Sequence, residues 1–147
     1  LTGLVFVTIL SGGFVAGLKA GFAYNTFPLM DGHWVPQVMF RQSPLWRHFF
    51  ENSATVQLDH RLLATLVITA VAVLWLSARR STLPASVRTG LHLMLAAVLL
   101  QYGLGISTLL MHVPVPLAAI HQAGALLLLT VTLYAAFRMS GQVNSGV

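Results

Sequence analysis

Four long stretches without a charged side chain constrain what this chain can fold into. They cover residues 1–18, 62–78, 89–111 and 116–137. A transmembrane helix needs about 20 mainly apolar residues, and each stretch reaches or approaches that length with its flanks. The sequence therefore predicts an all-α membrane protein. We expect four transmembrane helices in an antiparallel bundle with one long outer loop, the helices at about 1–24, 53–78, 89–111 and 116–138.

The composition agrees with a membrane protein and excludes several other classes. Of 147 residues, 56% are hydrophobic and 7% charged, against roughly 25% charged in an ordinary soluble domain. We expect one domain over residues 1–147. The eight Lys and Arg are scattered at segment ends, which argues against nucleic-acid binding. Cysteine is absent, which excludes Cys-ligated iron–sulfur centres. Because the chain enters apolar sequence at once, we expect it to be cut from a longer protein.

Residues 25–52 form the one long connection between the predicted helices. They include three prolines and six Phe or Trp side chains. Aromatic rings favour the membrane–water interface, and a short amphipathic helix at about 38–50 is expected to lie flat there. Loops of this length are usually functional, so this one is a candidate lid over a site beneath it.

The arginines predict the orientation of the bundle. The side with both termini and the short turn carries Arg79, Arg80, Arg88 and Arg138, whereas the long connection carries Arg41 and Arg47. Cytoplasmic loops hold the excess of Lys and Arg. The termini are therefore expected inside and the long loop outside.

Two histidines occupy the same kind of position at the head of the second and fourth predicted helices. His60 lies 19 residues before Arg79, and His121 lies 17 residues before Arg138. At about 1.5 Å per residue, both imidazoles lie roughly 25–28 Å above the inner charges, level with each other on parallel helices. Such a pair suits bis-imidazole ligation of a haem iron, and ionisable groups inside a membrane bundle are functional candidates by default. The sequence predicts a haem site with His60 and His121 as metal ligands.

Several readings around this pair stay open. Either histidine could be interfacial, and Arg61 suits a haem propionate or a headgroup phosphate equally. Asp59 and Gln57 are candidates to orient the His60 ring or simply to solvate the helix entry. A non-haem zinc or iron site is disfavoured, because no third His or carboxylate is obvious at that depth. The glycines Gly13, Gly17 and Gly21 favour helix packing over contact with a flat cofactor. His92 lies too far down the bundle to share the metal. His112 is expected either at the membrane interface or behind a metal ligand, without touching the metal itself.

Four runs of the sequence resemble one known family. They are GFVAGLKAGFAYNTFPLM at 13–30, FEN with VQLDHRLLA at 50–52 and 56–64, QYGLGISTLL at 101–110, and VPVPLAAIHQ at 113–122. These runs are similar to the C-terminal half of heme A synthase, a membrane oxidoreductase that oxidises a methyl group of heme O to the formyl of heme A for cytochrome oxidase.

The resemblance implies a role for each half of such a protein. The C-terminal half holds a b haem between two histidines, which fall here on His60 and His121, and the N-terminal half, absent from this sequence, binds the heme O substrate. The implied location is the bacterial cytoplasmic membrane or the mitochondrial inner membrane, among membrane lipids. The electron donor stays unknown, a homo-oligomer is possible, and no catalytic residue is expected in this chain. The alternatives are a stand-alone membrane b-type cytochrome or haem-binding electron-transfer module, and a purely structural membrane protein.

Overall fold

The computed structural model describes residues 1–40 and 44–143, and these residues are helical without any β-strand. Short helical turns and one isolated bridge, between Met30 and His33, occupy the long connection. The α-helices are α1 (Thr2–Gly17), the single turn α2 (His48–Glu51), α3 (Ser53–Ala78), α4 (Ala85–Leu110) and α5 (Val115–Val143).

Within the described residues, three helices are long and apolar enough to cross a bilayer. They are Ser53–Ala78, Ala85–Leu110 and the part of α5 over Val115–Ser140. The helix α1 is apolar but has 16 residues, and it ends at Gly17 instead of running to residue 24 as the sequence predicted. The reason is local, because Lys19 adopts a left-handed conformation with φ 51°, which an α-helix cannot continue through. A separate 3-10 turn, Ala20–Phe22, follows.

Asn52 caps the start of α3. Its Oδ1 accepts hydrogen bonds from the backbone N–H groups of Ala54 at 3.0 Å and Thr55 at 3.2 Å, which pairs two donors that a helix leaves unsatisfied at its start. Its Nδ2 donates to the carbonyl of Val38 at 3.1 Å. One side chain thus caps the helix and ties the long connection to it. The predicted starts of α4 and α5 shift by four residues and one residue, to Ala85 and Val115.

The long helices form an antiparallel bundle. Tyr102 of α4 meets Thr65 of α3, and further along His92 meets Trp75, so one residue number falls as the other rises. The same crossing pattern relates α4 to α5, where Gly105 faces His121 and Gly90 faces Ala135. Since α3 and α5 both run antiparallel to α4, they run parallel to each other. We call α1 with α3 the first hairpin, and α4 with α5 the second hairpin.

A buried apolar cluster holds the helices together, while large apolar side chains cover the outside. The cluster consists of Val5, Val67, Val71, Val87, Leu91, Met94, Val98, Leu128 and Ala135. Exposed outer side chains such as Leu66, Leu100 and Leu127 are more than half accessible. In water this surface would be costly, but against lipid tails it is favourable. The chain is therefore a multi-pass membrane protein.

The long connection is built from short turns that return to the start of α3. Met30, Met39 and Ala54 form a small second core with Tyr24 and Leu58 packed on it. The predicted amphipathic helix at 38–50 is instead divided into the 3-10 turns Gln37–Phe40 and Leu45–Arg47 and the single turn α2. Residues 41–43, and with them the Arg41 used to predict the orientation, lie outside the described residues.

Candidate functional site

A cavity of about 500 Å³ opens between the two hairpins, and both predicted histidines line it. Its wall is mainly apolar, with contributions from α1, α3, α4 and α5. Ligand and cofactor sites are typically cavities of roughly 300–1,000 Å³ with few polar groups. His60 and His121 stand on the parallel helices α3 and α5, and both line this cavity. The structure thus brings together the pair that depth alone suggested.

The His60 ring is fixed by a hydrogen bond from the neighbouring helix. Its Nδ1 lies 2.8 Å from Oγ of Ser11, and that hydroxyl lies 2.7 Å from the carbonyl oxygen of Thr8. The hydroxyl donates its one proton to the carbonyl, which can only accept, so it accepts from the imidazole Nδ1–H. The other ring nitrogen, Nε2, then carries a free lone pair and can act as a ligand.

The two imidazoles are packed against glycines in the same way. A Cβ built on Gly12 would lie 3.1 Å from Cε1 of His60, and one on Gly105 would lie 3.0 Å from Cε1 of His121. Both distances are shorter than ordinary van der Waals contacts. A side chain at either glycine would therefore press against the imidazole ring. In each hairpin, then, a glycine of the first helix receives the histidine of the second helix.

The backbone of His121 is hydrogen-bonded to the neighbouring helix. Gln101 Nε2 donates to the His121 carbonyl at 2.7 Å. The Gln101 side chain fits against Gly124, and its Oε1 is buried without a partner in the part of the chain that the structure describes.

Arg61 lines the cavity, but its guanidinium also serves the long connection. Nη2 donates to the carbonyl of Tyr24 at 3.1 Å, and Nη1 lies 3.3 and 3.4 Å from the carbonyls of Pro28 and Leu29. Gln57 donates to the same Tyr24 carbonyl at 3.0 Å. The residue beside His60 therefore holds the connection against α3, and contact of Arg61 with a propionate or a phosphate stays a prediction.

The other candidates from the sequence lie elsewhere. Asp59 lines a separate, open groove on the outer side of α1 and α3, and Gln57 bonds to Tyr24, so the orienting role suggested for them at His60 belongs to Ser11. His92 lies at the other end of α4, with its ring edge-on to Trp75 at 6.0 Å. His112 follows α4 in a left-handed turn, with φ 61°.

The donor set of the cavity fits a haem better than a bare metal ion. Among the described residues, no group of three or more His, Cys, Asp or Glu is placed to hold an ion. Two imidazole nitrogens alone are too few for the three- or four-ligand protein sites of zinc and non-haem iron. A porphyrin supplies its own four nitrogens and needs only axial ligands, which His60 and His121 can provide.

Comparison with known proteins places the chain in a family. The family model described as COX15-CtaA, cytochrome oxidase assembly protein, matches residues 1–133. The chain belongs to this family. Heme A synthase of Nitrosomonas eutropha is 52% identical over 140 residues, which are 95% of this chain and 39% of that protein. Heme A synthase COX15 of Bos taurus is 54% identical over 132 residues, 90% of this chain and 32% of that protein.

The chain spans about a third to two fifths of the length of these curated relatives. A more distant relative, heme A synthase of Wolbachia pipientis, is 42% identical over 144 residues, 98% of this chain and 39% of that protein. No solved structure matches the chain. The resemblance seen in the four sequence runs is thus confirmed at the level of the family.

Two residues of the site escaped the sequence analysis of this family member. The notable glycine spacing was Gly13, Gly17 and Gly21, but a Cβ on Gly13 or Gly17 would meet no atom of the described residues within 4 Å. Gly12 is the glycine that receives His60. Ser11 looked like an ordinary helix residue. The matching order of a glycine helix followed by a histidine helix offered a signal for Gly12 only.

Proposed function

We propose that this chain is the haem-b-binding half of a heme A synthase-like membrane oxidoreductase. The observation that supports it best is the pair of imidazoles on parallel helices, each placed on a glycine and both lining one cavity. His60 and His121 would be the axial ligands. A haem bound there supplies one-electron transfer.

The residues of the chain have separate roles in this proposal. Ser11 and Gly12 orient His60, and Gly105 orients His121. Apolar wall residues such as Val67, Val98 and Leu128 exclude water from the cavity. The oxidation of heme O to heme A belongs to the whole protein, with the substrate bound by an N-terminal half, because two histidines that fill both axial positions leave no open one for substrate chemistry.

The proposal includes four membrane crossings. The 16 residues of α1 span about 24 Å at 1.5 Å per residue, close to the roughly 30 Å hydrocarbon core, and the turn Ala20–Phe22 extends the crossing. With α3, α4 and α5, four crossings would put the 25–52 connection on one side and the 79–84 turn on the other. The arginine distribution supports an outside location for the connection.

A labelling experiment tests this topology. We expect a membrane-impermeant maleimide to react with a cysteine at Trp34 but not with one at Thr82 in right-side-out vesicles. Both positions are exposed, so accessibility to water does not bias the comparison. In inverted vesicles the pattern should reverse. Labelling of Thr82→Cys from outside would show that the bundle has the opposite orientation.

Expression in a cell that makes heme O but lacks its own heme A synthase tests the division of labour. We expect the chain alone to be purified with haem b and to yield no heme A, while co-expression with a matching N-terminal half restores heme A. Extracted haems separated by chromatography give the measurement. Heme A formed by this chain alone would contradict the division, and haem b binding without any rescue would favour a stand-alone cytochrome.

A further inference from the structure

We propose that Ser11 is a positioning residue that fixes the tautomer of His60 and strengthens this histidine as a metal ligand. The inference about the tautomer rests on the hydrogen bonds alone. Its consequence for the reduction potential of an iron rests on the proposed haem-binding function.

The direction of the hydrogen bonds carries the argument. Ser11 has a single hydroxyl proton and lies 2.7 Å from the Thr8 carbonyl oxygen, which has no proton to give. The proton on the 2.8 Å contact between Ser11 and His60 must therefore come from the imidazole Nδ1. A neutral imidazole carries one N–H, so Nε2 of His60 is the unprotonated nitrogen before any ligand arrives.

The packing at Gly12 keeps this hydrogen bond in place. Beside the ring there is no room for a Cβ without a shift, so rotation of the imidazole toward α1 is blocked by the helix itself. Ser11 directly precedes Gly12. Ser11 holds one edge of the ring by a hydrogen bond, and Gly12 contacts the ring near Cε1. The hydrogen bond and the steric contact select the same orientation.

The second hairpin shares the glycine contact but has no serine at the matching position. Gly105 receives His121 as Gly12 receives His60, but the residue before Gly105 is Leu104, which has no polar atom in its side chain. The contact between a serine hydroxyl and the imidazole therefore belongs to the first hairpin.

A hydrogen bond from the second ring nitrogen strengthens an imidazole as a metal ligand. With this hydrogen bond His60 would donate more electron density to an iron than it would without it, and this favours the ferric state. Loss of the Ser11 hydroxyl is therefore expected to raise the midpoint potential of a bound haem. Because Ser11→Thr keeps a hydroxyl, it should return the potential toward that of the unchanged protein.

The first test needs no haem. In protein labelled with ¹⁵N-histidine and prepared without haem, we expect the His60 signals of the Nδ1–H tautomer alone, and a mixture of both tautomers in Ser11→Ala. Ser77→Ala is the matched control, since Ser77 makes the same kind of bond, to the Val73 carbonyl at 2.8 Å, at the far end of α3. An unchanged tautomer in Ser11→Ala would overturn the proposal.

The second test uses the protein with haem b bound. Redox titration should give a higher midpoint potential for Ser11→Ala, recovery in Ser11→Thr, and no change for Ser77→Ala. A haem-loaded Ser11→Ala protein with an unchanged potential would overturn the electronic part. If the tautomer changes as expected but His60→Ala binds low-spin haem normally, the proposed function fails while the role of Ser11 in positioning the ring stands.

Discussion

Replacing His60 or His121 with alanine is expected to abolish the low-spin spectrum of a bound b haem. Under the proposed ligation, each substitution would remove one of the two nitrogens that hold the iron and leave the iron five-coordinate or unbound. The two histidines line the cavity from different helices, so the remaining imidazole would not replace the missing one. Absorption and electron paramagnetic resonance spectra of the purified proteins, with the haem-to-protein ratio, give the measurement.

His92→Ala is the matched control for these two substitutions. It removes an imidazole from the same bundle, but from the far end of α4 beside Trp75, and should leave the spectrum unchanged. Added imidazole should restore a low-spin spectrum to His60→Ala or His121→Ala, because the space left by the ring is open to the cavity. A low-spin spectrum in His60→Ala without added imidazole would refute the ligand assignment.

The second large effect is expected at the two glycines that receive the imidazoles. A Cβ at Gly12 or Gly105 would already lie 3.1 or 3.0 Å from a ring carbon, and the branches of valine add further atoms there. Overpacking of this kind costs about 1–3 kcal/mol, which corresponds to roughly a fivefold to hundredfold change in an equilibrium constant. We therefore expect Gly12→Val and Gly105→Val to weaken haem binding by about that factor in a spectroscopic titration.

Other glycines of the same helices control for the cost of valine in a helix. A Cβ on Gly103 or Gly3 would meet no atom of the described residues within 4 Å, although both lie in the helices concerned. Gly103→Val and Gly3→Val should keep the haem affinity of the unchanged protein. Equal losses in Gly105→Val and Gly103→Val would mean that the effect arises from the helix and not from contact with the imidazole.

The sequence predicted those parts of the structure that depend on hydropathy and on the spacing of residues along a helix. Uncharged runs of bilayer length predicted the long helices, and the positions of His60 and His121 relative to the helix ends predicted that they would be level. The break after Gly17 was missed, because the run stays apolar through it, and the break depends on the left-handed backbone of Lys19. A backbone conformation of that kind leaves no mark on hydropathy.

The partners of the polar side chains were harder to predict than the positions of the helices. Arg61 next to His60 suggested an anion, but the structure surrounds its guanidinium with carbonyls of Tyr24, Pro28 and Leu29. These acceptors come from a connection whose path is set by the small core around Met30 and Met39. The sequence also offered no indication of Ser11, because its contact with His60 depends on which face of α1 packs against α3.

The division of the site between two hairpins has a consequence for the lifetime of the protein. The helix pair inside each hairpin packs more extensively than any single pair of helices across the two hairpins, and the two histidines belong to different hairpins. A haem held by both would act as a cross-link between the hairpins. At a free haem concentration 100 times its dissociation constant, such binding adds about 2.7 kcal/mol of stability. A chain without haem would lack this added stability, so its lifetime in the membrane would depend on the haem supply.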